Sequence, residues 1–97
     1  MTIFLPEALE AYAKAIEARS PRDYPEAHMN KGITLVKLKE LEAAVKAFGK
    51  VIDLRPDYPE AYMNRGRSLA TIGGDENLKK AVADFTEAIR FRPGYAS

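Results

Sequence analysis

The five-residue stretch Asp-Tyr-Pro-Glu-Ala occurs twice in this chain, at residues 23–27 and again at residues 57–61. The two copies begin 34 residues apart, and a glycine follows each at the same offset, as Gly32 and Gly66. A fixed period of this length is typical of proteins built from stacked units that bury their apolar faces only against their neighbours. The repeat therefore predicts a stacked architecture, and such an architecture indicates a way of binding rather than a particular partner.

The composition excludes several classes of function. The 97 residues are 46% hydrophobic and 30% charged with a net charge of +1, which favours a globular domain without strong attraction for nucleic acid or an anionic membrane. There is no Cys and one His, His28, so Cys-based metal sites and His pairs are excluded. The longest apolar run, 3–5, is too short for a signal-peptide core or a membrane span, and we therefore expect a cytoplasmic protein.

Apolar residues at spacings of three and four predict about five helices and no strand. The predicted segments are 6–19, Asp23 to about Leu38, Leu41 to about Arg55, Asp57 to Ile72, and a fifth helix ending near Phe91. Pro56, the stretch 73–75 and Pro93 with Gly94 supply breaks between or after these segments.

Each copy of the repeated stretch has the pattern of a helix start. Asp23 and Asp57 are each followed three residues later by Glu, as Glu26 and Glu60, which is an Asp-x-x-Glu form of the capping box. A proline also falls in each first turn, where its missing N–H does no harm. We therefore expect the aspartates to cap the two helices.

The residues at fixed repeat positions resemble the tetratricopeptide repeat family, whose period is also 34 residues. The matching positions are the eighth, twentieth, twenty-fourth and thirty-second of each repeat. They hold Gly32, Ala44, Phe48 and Pro56 when Pro25 is the first position, and Gly66, Ala81, Phe85 and Pro93 when Pro59 is the first and three inserted residues near 74–77 are allowed. Departures from the family pattern are His28 and Tyr62 in place of Trp, Lys31 and Arg65 in place of Leu, and Lys39 in place of a turn glycine.

This resemblance implies an all-α, right-handed solenoid of antiparallel helix pairs, with 1–97 as a single domain. Residues 25–56 and 59–93 would form two repeats, and 6–19 would be the second helix of a preceding one. Independently of the family, small residues allow close approach of two helix axes, and Phe48 and Phe85 are placed to fill the gap beside them. The family's first helices line a concave surface that binds partner segments.

Ligand-contacting positions carried over from the family give a candidate partner-binding set on the first helices. Its members are Met29, Asn30, Ile33, Lys37, Met63, Asn64 and Arg67, with Glu26, Val36, Glu60, Ala70 and Thr71 at neighbouring contact positions. Amide groups can bond a peptide backbone, and Met adapts to irregular apolar side chains. The two Asn serve equally well as backbone-bonding residues within the stack, and Met at helical spacing more often packs in a core.

The sequence predicts no enzyme. Acidic pairs such as Glu40 with Glu42 or Asp75 with Glu76 fall at helix starts, where the helix dipole favours negative charge. The stretch Gly73-Gly74-Asp75 lacks the Lys and Ser or Thr of phosphate-binding loops. We expect no catalytic residue, cofactor, metal or small-molecule substrate, and a protein or peptide as the partner.

A second hypothesis is self-assembly into a homo-oligomer. The last predicted helix carries Val82, Ile89 and Phe91, whereas a terminal helix of an array is normally polar. Uncapped ends favour stacking between copies or exchange of helices. The remaining alternative is that the chain is an excerpt of a longer array.

Overall fold

The structure, a computed structural model, describes residues 24–96 and confirms the expected all-α repeat fold. The helices are α1 (Pro25–Lys37), α2 (Leu41–Leu54), α3 (Pro59–Ile72) and α4 (Asp75–Phe91), followed by a short 3-10 helix (Pro93–Ala96). No strand occurs within this part of the chain. Four of the five predicted helices are thus seen, and the predicted helix 6–19 and Asp23 lie outside the described residues.

Helices that follow one another in the chain pack against one another. α1 packs on α2, α2 on α3 and α3 on α4, with a smaller contact between the two first helices, α1 and α3. The turn between α3 and α4 uses Gly73 and Gly74 at φ 87° and 92°, a region that suits residues without Cβ. α1 with α2 and α3 with α4 therefore form two hairpins, stacked through the contact of α2 with α3.

The two first helices begin at proline, one residue later than a capping box would place them. Tyr24 and Tyr58 occupy the N-cap positions of α1 and α3, and neither helix has a side-chain cap. The predicted capping by Asp57 is wrong, because Tyr58 is the N-cap residue and no side chain caps α3. Glu60, which was expected to reach back, pairs instead with Arg92 at 2.9 Å.

This glutamate contact recurs in the first repeat, where Glu26 pairs with Arg55 at 3.4 Å. In each repeat the first turn of the first helix is thus tied to the arginine that follows the second helix. Both pairs are partly exposed to solvent, so each contributes at most about 1 kcal/mol.

Close approach of the helices depends on two glycines that face two phenylalanines. A Cβ at Gly32 would lie 2.5 Å from Cε1 of Phe48, and a Cβ at Gly66 would lie 2.7 Å from Cε1 of Phe85. Such separations are too short for carbon atoms, so a larger residue at either glycine would push the helices apart.

A shared core joins α1, α2 and the start of α3. Met29, Ala44, Phe48, Val51 and Ala61 form this cluster, and Phe48 is completely buried. Because residues of both hairpins contribute, the core holds the two repeats together as well as closing the first hairpin.

The turn between α1 and α2 contains a residue in the left-handed region, Lys39, at φ 64°. The N–H of Glu40 donates to the carbonyl of Leu35 at 2.8 Å, and the N–H of Lys39 donates to the carbonyl of Val36 at 2.9 Å. These two bonds define a Schellman motif, in which glycine is the usual residue at the left-handed position. Lys39 occupies that position at a conformational cost.

Gly32→Ala is expected to destabilise the protein by about 1–3 kcal/mol, because the added methyl group meets a buried ring that has no room to move. Alanine would otherwise favour a helix by about 1 kcal/mol over glycine. Gly49→Ala is the matched control, since its Cβ would lie 3.7 Å from Arg65 Nη1, an ordinary contact. Urea unfolding should show changes of opposite sign, and equal changes would contradict the close-approach interpretation.

Lys39→Gly is expected to raise the free energy of unfolding by about 0.5–1 kcal/mol, because glycine adopts the left-handed region without the steric cost. Lys31→Gly makes the same exchange inside α1 and should instead lower that free energy by about 1 kcal/mol. Thermal or urea unfolding of both variants measures the difference. A loss of stability in Lys39→Gly would count against the Schellman turn.

Candidate functional site

The predicted partner-binding residues of α1 divide into exposed and buried members. Asn30, Ile33 and Lys37 are exposed, and Val36 beside them is 37% exposed. Met29 is only 6% exposed and lies in the core cluster. Its thioether therefore packs inside the fold, and we leave Met29 out of the candidate surface.

On α3, Met63 and Asn64 are half-buried and Arg67 is exposed. The Asn64 Nδ2 donates to the backbone carbonyl of Glu60 at 2.8 Å. Asn64 therefore bonds neighbouring backbone, which was one of its two expected roles. The carbonyl oxygen of its side chain remains available to accept a hydrogen bond from a ligand. We call the exposed and half-buried members of the set, Asn30, Ile33, Val36, Lys37, Met63, Asn64 and Arg67, the first-helix surface.

A shallow depression of about 130 Å³ lies between α1 and α3 on this surface. Its lining consists of Val36, Leu41, Asn64, Arg67, Ser68 and Thr71. Four of these were among the contact positions implied by the resemblance. Leu41 was not, because those positions come from first helices only and Leu41 begins α2. Ser68 lies on the first helix α3 but is not one of the positions carried over.

The polar groups around the depression differ in what they still offer a ligand. The hydroxyls of Ser68 and Thr71 donate to the carbonyls of Asn64 and Arg67, at 3.0 Å and 2.8 Å. The guanidinium of Arg67 and the ammonium of Lys37 form no ion pair with the described residues. The depression thus combines aliphatic side chains with an available cationic donor.

The glutamates in the first turns of α1 and α3 are neutralised by ion pairs, whereas Lys37 and Arg67 are not. Glu26 and Glu60 each pair with an arginine that follows a second helix. The far end of the first-helix surface, around Lys37 and Arg67, therefore carries positive charge that is not balanced by an ion pair within residues 24–96.

A second groove, of about 370 Å³, lies between α2 and α4 with α3 at its base. It is lined by Val45, Arg65, Leu69, Lys80, Ala83 and Asp84. Arg65 Nε and Nη2 donate to Asp84 Oδ2 and Oδ1, both at 2.8 Å, and Asp84 is 4% exposed. The hydrogen bond to Asp84 raises the pKa of the Arg65 guanidinium above its ordinary value, so the guanidinium stays protonated.

This ion pair could not be predicted from the sequence. Arg65 was recognisable only as a departure from the leucine usual in the family, and Asp84 lies 19 residues further on among other charged residues. At the equivalent positions the first repeat has Lys31 and Ala47, which cannot form such a pair. The pair therefore distinguishes the second hairpin from the first.

The residues predicted for self-association lie on or beside the outer side of α4. Val82 is 64% exposed, and Ile89 and Phe91 are exposed to a lesser degree. The ring of Phe91 stacks on Tyr62 with centroids 5.9 Å apart, and the guanidinium of Arg90 lies 5.1 Å from its centroid. Phe91 is thus partly covered by its own repeat, whereas Val82 is not.

Tyr62 joins α3 to the end of α2. Its hydroxyl donates to the carbonyl of Pro56 at 2.7 Å, and burial raises the pKa of the phenol. Tyr62 therefore has a structural role at the position where the family usually has Trp.

Two features are absent from the described part of the chain. No three His, Cys, Asp or Glu residues come together there in a way that would hold a metal ion. No helix within it has the length and apolar character needed to cross a membrane.

The repeated helical hairpins define the class of protein, and comparison with known families agrees with them. A family model described as TPR repeat matches residues 34–73, from the last turns of α1 through α3. This match, together with the stacked helical hairpins, supports a tetratricopeptide repeat assignment for this chain, as the resemblance implied. No curated protein matches it. Domains of this family generally act as interaction modules rather than as enzymes.

Replacing Arg65 by Leu should destabilise the protein by about 3–5 kcal/mol, because it leaves the buried Asp84 carboxylate without a counter-charge. Adding Asp84→Ala should recover most of this loss, since the double variant removes both charges. Urea unfolding of the two variants makes the comparison. A double variant as unstable as Arg65→Leu alone would show that the loss comes from packing and not from the unpaired carboxylate.

Proposed function

We propose that this chain is a non-enzymatic interaction module that binds a peptide or helical segment of a partner protein on the first-helix surface. The observation that carries this proposal is the depression between α1 and α3, where exposed Val36 and half-buried Leu41 lie beside the available guanidinium of Arg67. Apolar side chains grouped on an exposed surface favour a protein partner.

The size of the depression supports a peptide rather than a cofactor. Its volume of about 130 Å³ lies below the roughly 300–1,000 Å³ of small-molecule sites. An aliphatic side chain of the partner would enter beside Val36, while its backbone carbonyls or a carboxylate would accept hydrogen bonds from Arg67. Ile33, Met63 and Lys37 would extend the contact along the two helices.

The cationic end of the surface favours a partner segment that carries no excess of positive charge. Lys37 and Arg67 would repel lysine and arginine side chains of a ligand, and this selects against basic segments. The same charges speed the approach of acidic segments.

Self-association is the second candidate function, and the exposure of Val82 favours it. A valine exposed to this extent, with Leu78 and Ile89 also exposed on the same helix, leaves an apolar surface on α4. This surface is separate from the first-helix surface, so the two functions are not exclusive.

The partner-binding proposal can be tested with peptides selected from a displayed random library against the folded chain. Val36→Glu with Arg67→Ala should weaken binding of the selected peptides by at least about tenfold, because the apolar contact and the cationic donor are both lost. Val82→Glu, on α4, is the control and should leave peptide affinity unchanged. Circular dichroism checks that each variant keeps its helicity.

Two results would contradict the first-helix surface as the binding site. One is selected peptides that bind the Val36 and Arg67 variant as tightly as the original chain. The other is peptides whose binding is lost in Val82→Glu instead, which would place the binding site on α4.

A further inference from the structure

α4 carries a row of apolar residues that repeats a row on α2. The α4 row consists of Leu78, Val82, Phe85 and Ile89, and the α2 row consists of Leu41, Val45, Phe48 and Ile52, at positions 37 residues earlier. In the α4 row Leu78, Val82 and Ile89 are exposed, whereas every member of the α2 row is buried or half-buried.

The difference between the two rows has a simple cause, which is the presence of α3. Leu41 lies beside Asn64 and Ser68 of α3, and Val45 lies beside Arg65 and Leu69 of the same helix. α3 therefore covers Leu41 and Val45 of the α2 row, whereas Phe48 packs on Gly32 of α1. Among the described residues only the 3-10 helix follows α4 in the chain, and Leu78, Val82 and Ile89 stay exposed.

The spacing along the α4 row is the same in both directions. Its four residues are separated by four, three and four positions, so the row reads identically from either end. When two copies of such a helix pack antiparallel, Leu78 of one faces Ile89 of the other, and Val82 lies beside the half-buried Phe85, whose ring also packs on Gly66 of its own hairpin. An arrangement of this kind is self-complementary, as a two-fold interface requires.

The charges at the ends of α4 select the antiparallel orientation. Asp75 and Glu76 lie in the first turn, and Arg90 lies in the last turn with Arg92 directly after it. The side chains of Arg90 and Arg92 remain more than half exposed although each pairs with a glutamate. An antiparallel pair brings acidic ends against basic ends, whereas a parallel pair would bring like charges together.

We propose that the α4 row is covered by the same row of a second copy of this chain, with the two α4 helices antiparallel. This inference rests on the second proposed function, self-association, and names its surface and geometry. The seam would have the spacing of a coiled coil, in which residues alternate by three and four positions. It leaves the first-helix surface of both copies open for partners.

Sedimentation equilibrium from micromolar to millimolar concentration tests the surface. The original chain should approach twice its mass of 10.8 kDa as concentration rises. Val82→Glu should weaken the dimer by at least about 30-fold, because two valines lose their burial and two carboxylates face an apolar seam. Val36→Glu makes the same exchange on α1 and should leave dimerisation unchanged.

Disulfide trapping tests the orientation, since the chain has no cysteine and an introduced one is unique. In an antiparallel pair, residue 75 of one copy lies beside residue 92 of the other. A mixture of Asp75→Cys and Arg92→Cys chains should therefore form mixed disulfides in preference to like pairs. Like residues would be about 25 Å apart, far beyond the roughly 7 Å that a disulfide spans between Cα atoms.

The outcomes separate this inference from the function on which it rests. A chain that stays monomeric at all concentrations overturns self-association altogether. A helix of another protein would then be the remaining candidate to cover the α4 row. A dimer that Val82→Glu does not weaken leaves self-association standing and overturns the α4 row. Disulfides between like residues overturn the antiparallel orientation. Loss of peptide binding in Val36→Glu would support the first-helix surface as the peptide site and would leave the dimer proposal unaffected.

Discussion

The contact of a helical glycine with a phenylalanine ring holds each hairpin together, and the remaining structure depends on it. At Gly32 and Gly66 the ring of the neighbouring helix occupies the place where a Cβ would be. This close approach brings α2 near enough to α1 and α3 for a shared core to form around Phe48.

Most of the fold could be predicted because it depends on local patterns that repeat. The helices 25–37, 41–54, 59–72 and 75–91 were predicted to within a few residues. The patterns that predicted them were the 34-residue period, the spacing of apolar residues, and the prolines and glycines at the helix ends. The exception was the capping box at Asp57, where a long-range pairing of Glu60 with Arg92 replaced a local one. A capping motif is recognised from residues close together in sequence, so it cannot show that Glu60 pairs with a residue as distant as Arg92.

Residues of the candidate site were predicted less well, because exposure depends on packing that the sequence does not display. Met29 and Met63 occupy equivalent positions in the two repeats, yet Met29 is buried in the core and Met63 is only half-buried. Asn64 was expected either to bond a ligand or to bond neighbouring backbone, and the three-dimensional structure was needed to show its bond to Glu60. Arg65 and Asp84 were visible as residues but not as a pair.

The buried pair of Arg65 and Asp84 also bears on how the chain avoids misfolding. Proteins built from similar units risk pairing a helix with the wrong neighbour as they fold. If α3 formed its hairpin with α2, Arg65 would face Ala47, and Asp84 would be left without its cation. The wrong hairpin therefore has a higher free energy than the correct one, because it leaves the Asp84 carboxylate unpaired. This difference favours correct pairing of the helices even though the two repeats are similar in sequence.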